Sequence, residues 1–153
     1  MEVSKSVTAA HLREFDIEGF KKFYSTFDGT SVARLSEFYS PQVVFKDPIH
    51  SLQGLEQLQT YFNQFCSSST KCGFIFHTLL TSGNQTFIHW QMTYSHPALN
   101  KGKDLTLNGS SLITFDSRIY HQEDFYDMGA MLYQHVPVLG WIVKKFNSRL
   151  TGG

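Results

Sequence analysis

The stretch that most constrains this chain is Ser110 to Asp127, SSLITFDSRIYHQEDFYD. Two β-prone runs flank Asp116-Ser117-Arg118, the pattern of two long strands joined by a tight turn. Side chains alternate between the faces of a strand. Tyr120, Gln122, Asp124 and Tyr126 therefore share one face of the return strand, and Ile119, His121, Glu123, Phe125 and Asp127 share the other. Neither set is plainly apolar. Such a strand either lines a polar cavity or faces solvent and a partner.

The chain upstream supplies what this hairpin packs against. Asp16 is the expected N-cap of a helix whose Ile17, Phe20, Phe23, Tyr24 and Phe27 form an apolar stripe. A second short helix carries Val32, Leu35, Phe38 and Tyr39 and ends before Pro41. Val43-Val44-Phe45 predicts a short strand closed by Asp47-Pro48. Leu55, Leu58, Phe62 and Phe65 predict a third helix over 52–65. Strands are expected over roughly 72–80, 85–95, 104–115 and 118–127. Helices first and long antiparallel strands afterwards mean an α+β fold, with three N-terminal helices packed on a curved, mostly antiparallel sheet. The expected organisation is a loose segment over 1–14, one domain over 15–127 and a helical extension over 128–153.

Bulk properties exclude several function classes. Thirteen basic side chains balance thirteen acidic ones, so no excess of positive charge points to nucleic acid. Cys66 and Cys72 form no disulfide framework. His50, His77, His96, His121 and His135 match no metal-ligand spacing, so neither a metal nor another cofactor is expected. The N-terminus lacks an apolar signal core, and no apolar run approaches the roughly 20 residues of a membrane span. A soluble, cytoplasmic protein is expected. Beyond Pro137 the tail predicts a helix with Val138, Ile142 and Phe146 aligned and with Lys144, Lys145 and Arg149 near its end. It suits packing on its own domain or a dimer mate, a lid, or contact with a membrane surface.

A helix pair, then VVFKDPIHSLQG, then LEQLQTYFNQF, then long strands closing with FDSRIYHQEDFYD, resembles the nuclear transport factor 2-like superfamily over roughly residues 16–127. In pattern it is most similar to SnoaL-like polyketide cyclases and ketosteroid isomerase. The resemblance implies a cone, the cystatin-like α+β roll, with a pocket at its open end. Relatives often dimerise through the outer sheet face. It does not fix a function, because the fold hosts enzymes and binding modules alike.

The resemblance places the isomerase's general-base aspartate on Asp47. Its oxyanion tyrosine and late-strand aspartate fall on Phe23 and Ser111, so that pair is missing or rebuilt. The same alignment turns His89, Gln91, Gln122, Asp124 and Tyr126 toward the pocket. The expected catalytic groups are Asp47, His89 and Asp124, with Gln91, Ser111, Gln122, Tyr126 and Phe23 contacting a small, largely apolar ligand. A structural alternative stands beside each: Asp before Pro caps turns, and a buried His–Asp pair can be a purely structural network. The remaining face of the 85–95 strand, Ile88, Trp90, Met92 and Tyr94, then lies outside, where it is the expected homodimer interface. Two functions follow: a small-molecule pocket with acid–base chemistry, or a non-catalytic binding or dimerisation module.

Overall fold

A computed structural model describes residues 14–68, 71–131 and 137–151. The 1–13 part of the expected loose segment lies outside the described residues. Helix α1 (Ile17–Ser25) starts at Asp16, whose carboxylate accepts the Gly19 amide at 2.8 Å. Its stripe of Phe20, Phe23 and Tyr24 is buried, as is Phe27 just beyond it. A 3-10 helix follows (Gly29–Glu37), opened by Asp28 and Ser31 in a reciprocal cap.

Among the described residues the sheet has six strands: β1 (Tyr39–Lys46), β2 (Ser51–Gln53), β3 (Lys71–Ser82), β4 (Gln85–Ser95), β5 (Leu105–Phe115) and β6 (Ile119–Tyr126). Their order is β2-β1-β6-β5-β4-β3, and the sheet is curved and unclosed. Every pairing is antiparallel except β1 with β6, which is parallel. Pro41 is accommodated inside β1 because the register with β6 shifts between Tyr39 and Val44. The β3–β4 turn has two residues, and Gly83 takes the φ of +58° that opens it. Helix α2 (Leu55–Ser68) starts three residues later than the apolar spacing suggests, because β2 occupies Ser51–Gln53. Short α3 (Met128–Met131) and α4 (Pro137–Thr151) complete the described chain. Among the described residues no helix is long and apolar enough to cross a membrane.

Helices α1 and α2 fill the concave side. Phe20 stacks on Phe76 of β3 at 5.9 Å between centroids, and Phe62 meets Phe45 of β1 at 6.3 Å. This packing sets the facing of β4, which is the reverse of the sequence-based expectation. Ile88, Trp90, Met92 and Tyr94 point inward and are 1–5 % exposed. Phe87, His89, Gln91 and Thr93 point outward. Burying each large apolar side chain is worth about 1.5–3 kcal/mol, whereas an inward His or Gln needs a buried partner. The apolar set therefore takes the core, and it is not an outer interface. The outward face instead exposes Ile75, Leu80, Phe87 and Phe125, each 40 % or more.

Candidate functional site

Between α1, α2 and the sheet lies a cavity of about 60 Å³. Among the described residues, ten of the fifteen that line it are aromatic, and Ser111, Gln122 and Asp124 are polar. The polar trio comes from neighbouring strands, since Ser111 and Gln122 lie opposite Asp124 and Ile113 in the β5–β6 register.

The hydrogen bonds among them have a direction. The Trp90 Nε1–H can only donate, and it does so to Ser111 Oγ at 2.8 Å. Ser111 Oγ in turn donates to Asp124 Oδ1 at 2.6 Å. From the other side, Gln122 Nε2 donates to the same Oδ1 at 2.8 Å. Gln122 Oε1 accepts from the Tyr39 hydroxyl at 2.8 Å. With that proton committed, the 2.6 Å contact between Tyr24 and Tyr39 is a donation from Tyr24. Two chains of donors, one from Trp90 and one from Tyr24, thus end on one carboxylate oxygen. Among the described residues no hydrogen bond reaches Oδ2.

Burial pushes the Asp124 carboxyl up to about 6. The Ser111 and Gln122 hydrogen bonds oppose that shift, and the charge of Asp47 adds to it. A carboxyl in this range can take a proton or return one near neutral pH. The phenols around it stay neutral: burial, above all, drives Tyr24, Tyr39, Tyr61 and Tyr126 upward. The Tyr126 hydroxyl is buried close to Asp47 and Tyr61, without a well-formed hydrogen bond among the described residues.

The sequence-predicted residues divide. Ser111, Gln122, Asp124 and Tyr126 line the cavity. His89 does not: it pairs with Ser110 and shares the outer face with it, while Asp124 stands across from inward Ser111. The expected His89–Asp124 pair is therefore absent; His89 instead lies 5.4 Å from the ring of His77. Gln91 is also outside, where its amide donates to Asn108 at 3.4 Å. Phe23 is core, under the Arg34 guanidinium, and Tyr24 takes the cavity-facing place about 100° further round the helix.

The Asp47 side chain is only 1 % exposed but does not line the cavity. Its Oδ1 accepts the amides of Ile49 and His50 at 2.8 and 2.6 Å, closing the turn into β2. Its Oδ2 accepts the Tyr61 hydroxyl at 2.7 Å. Both oxygens accept structural donors and the side chain does not line the cavity, so the expected base serves here to close a turn and hold Tyr61. Sequence reasoning missed Tyr24, Tyr39, Tyr61 and Trp90. An indole N–H needs a partner when buried, and that requirement was the available signal for Trp90. Among the described residues no cluster of His, Cys, Asp and Glu could hold a metal ion.

The model of the SnoaL-like domain matches residues 20–121. The chain belongs to the SnoaL-like family. Solved structures share its nuclear transport factor 2-like fold at low identity. A Catenulispora acidiphila protein with a ketosteroid isomerase-like fold, in complex with trimethylamine, is 11 % identical with a TM-score of 0.65, covering 78 % of this chain and 90 % of its own. A nuclear transport factor 2-like protein of unknown function from Burkholderia pseudomallei is 13 % identical with a TM-score of 0.67, covering 78 % and 95 %. A Jannaschia protein described as a SnoaL-like polyketide cyclase is 14 % identical with a TM-score of 0.63, covering 74 % and 83 %. No curated protein matches this SnoaL-like chain in sequence.

Proposed function

We propose that this SnoaL-like protein binds a small, largely apolar molecule in its cone cavity and that Asp124 is the acid–base group there. The observation that carries the proposal is the asymmetry of the Asp124 carboxylate: two donors hold Oδ1, and Oδ2 is left for a ligand. The mostly aromatic lining suits an apolar body, with few polar groups to orient it. A water occupies about 10–15 Å³ of such space, so a cavity of about 60 Å³ holds only a small ligand. Trimethylamine, bound by the Catenulispora protein, is of that scale.

In a reaction, ionised Asp124 takes a proton from the ligand through Oδ2, and its protonated form returns it. The Tyr126 hydroxyl, which stays neutral beside Asp47 and Tyr61, can donate to developing negative charge. The test is a screen of carbonyl, enol and epoxide substrates with the parent chain, Asp124→Asn and Asp47→Asn. Turnover is expected to vanish with Asp124→Asn and persist with Asp47→Asn. Equal turnover by Asp124→Asn and parent would refute the assignment.

A second reading, a homodimerising module, is favoured by a separate observation. Ile75, Leu80, Phe87 and Phe125 make the outer sheet face apolar, and large exposed apolar patches mark interfaces. The two readings are compatible, because the cavity and this face lie on opposite sides of the sheet.

A further inference from the structure

We propose that the cavity's ligand is a small alkylammonium cation, with its charge against Asp124 and its alkyl groups against the aromatic wall. This rests on the cavity-binding proposal above and names the ligand's class.

The sign of the charge is the first argument. Among the described residues, the lining includes one carboxylate and no Lys, Arg or His. An anionic ligand, such as a carboxylate or phosphate, would enter a mostly aromatic cavity with no cation among the described lining residues to meet it and with Asp124 to repel it. Burying an unpaired charge in that setting is prohibitive. The ligand is therefore neutral or positive.

The hydrogen bonds separate those two. The Trp90–Ser111 and Tyr24–Tyr39–Gln122 chains both deliver donors to Asp124 Oδ1, an arrangement that favours the ionised form. An ionised Oδ2 with no donor of its own lacks a positive partner, and a substituted ammonium supplies one. The surrounding rings fit the same class. Phe74 and Tyr126 lie 5.9 and 6.3 Å from Trp90, which groups three rings beside the Asp124 network. Aromatic side chains grouped around a site are the usual means of holding a quaternary or tertiary ammonium.

Other groups near Asp124 do not cancel this charge. Tyr24 on α1, Tyr39 on β1, Tyr61 on α2 and Tyr126 on β6 are all held neutral by burial. On β3, burial raises the Cys72 thiol to about 12. Asp47, after β1, adds negative charge rather than removing it. Strands β4 and β5 present Trp90 and Ser111, which do not titrate.

The experiment is calorimetric titration of the full chain with tetramethylammonium and with tert-butanol, a neutral molecule of similar shape. Tetramethylammonium is expected to bind at least about tenfold more tightly than tert-butanol, and to weaken up to about tenfold from about pH 8 to about pH 5 as Asp124 takes up a proton. Asp124→Asn keeps acceptor geometry toward Ser111 and Gln122 and is expected to abolish the preference; the pH series on the parent chain needs no variant. Equal binding of both probes, or affinity for the cation that rises on acidification, would overturn the cationic class while leaving cavity binding intact. Failure of both probes to bind would overturn both proposals.

Discussion

Ser111 on β5 and Asp124 on β6 stand opposite each other in register, and the serine hydroxyl donates to the carboxylate at 2.6 Å. The isomerase-type alignment puts a serine where that family keeps an acid. The structure supplies a carboxyl from the adjacent strand, with its Oδ1 at hydrogen-bond distance from that serine. On α1, Tyr24 rather than Phe23 lines the cavity.

The raised Asp124 carboxyl makes stability depend on pH. The folded chain holds this proton more tightly than the unfolded chain, where aspartate titrates near about 3.9. The resulting stability is fully present below about pH 4 and is lost as pH rises through about 6. Asp124→Asn cannot ionise and is expected to gain up to roughly 3 kcal/mol over the parent at about pH 8, and little at about pH 4. Denaturant melts at both values check this; parallel pH profiles for the two proteins would contradict it.

Asp47→Ala removes an acceptor from two turn amides and from Tyr61. Loss of about 2–3 kcal/mol of stability is expected, since a buried donor left without its charged partner costs about that much. Ligand affinity at Asp124 should change far less than stability. Thermal melts and cavity-ligand titrations on one preparation separate the two effects.

Gly109 faces Trp90 across the β4–β5 pair, and a Cβ there would collide with the six-membered ring of the indole. Gly109→Ala is expected to displace the indole from Ser111 and to cost about 1–3 kcal/mol as overpacking. Melting curves read the cost. The displaced indole N–H should exchange faster with solvent in NMR spectra.

The exposed outer face predicts the oligomer. Phe87 is 40 % exposed and sits between Leu80 and Leu112 in register. Sedimentation is expected to give a homodimer for the parent chain and a monomer for Phe87→Asp, with melting temperature retained at high dilution. A monomeric parent at high micromolar concentration would end this proposal.

Much of the fold was legible in the chain. The stripe through Phe20, Tyr24 and Phe27 marks α1, Asp16 marks its start, and the strand at Gln85–Ser95 has the bounds its alternation implies. What alternation cannot supply is which set faces inward. On β4 the family alignment turns the polar set His89 and Gln91 toward the pocket, and the cost of leaving Trp90 and Met92 in water decides otherwise. On β6 the same periodicity worked for Gln122, Asp124 and Tyr126 but not for Tyr120. That residue is the extra one where the register shifts between Thr114 and Phe115, and it lies exposed. The Asp124 network was only partly legible, because Tyr24, Tyr39 and Trp90 reach it from three elements distant in sequence.

The proposed function requires a small molecule to sit in the cone against Asp124. A crystal structure of the chain grown with tetramethylammonium or tert-butanol tests it most directly. Ligand density is expected inside the aromatic cavity, touching the Asp124 carboxylate at Oδ2 and the rings of Trp90 and Tyr126. A cavity closed by its own side chains, or ligand found only on the outer face around His89, would contradict it.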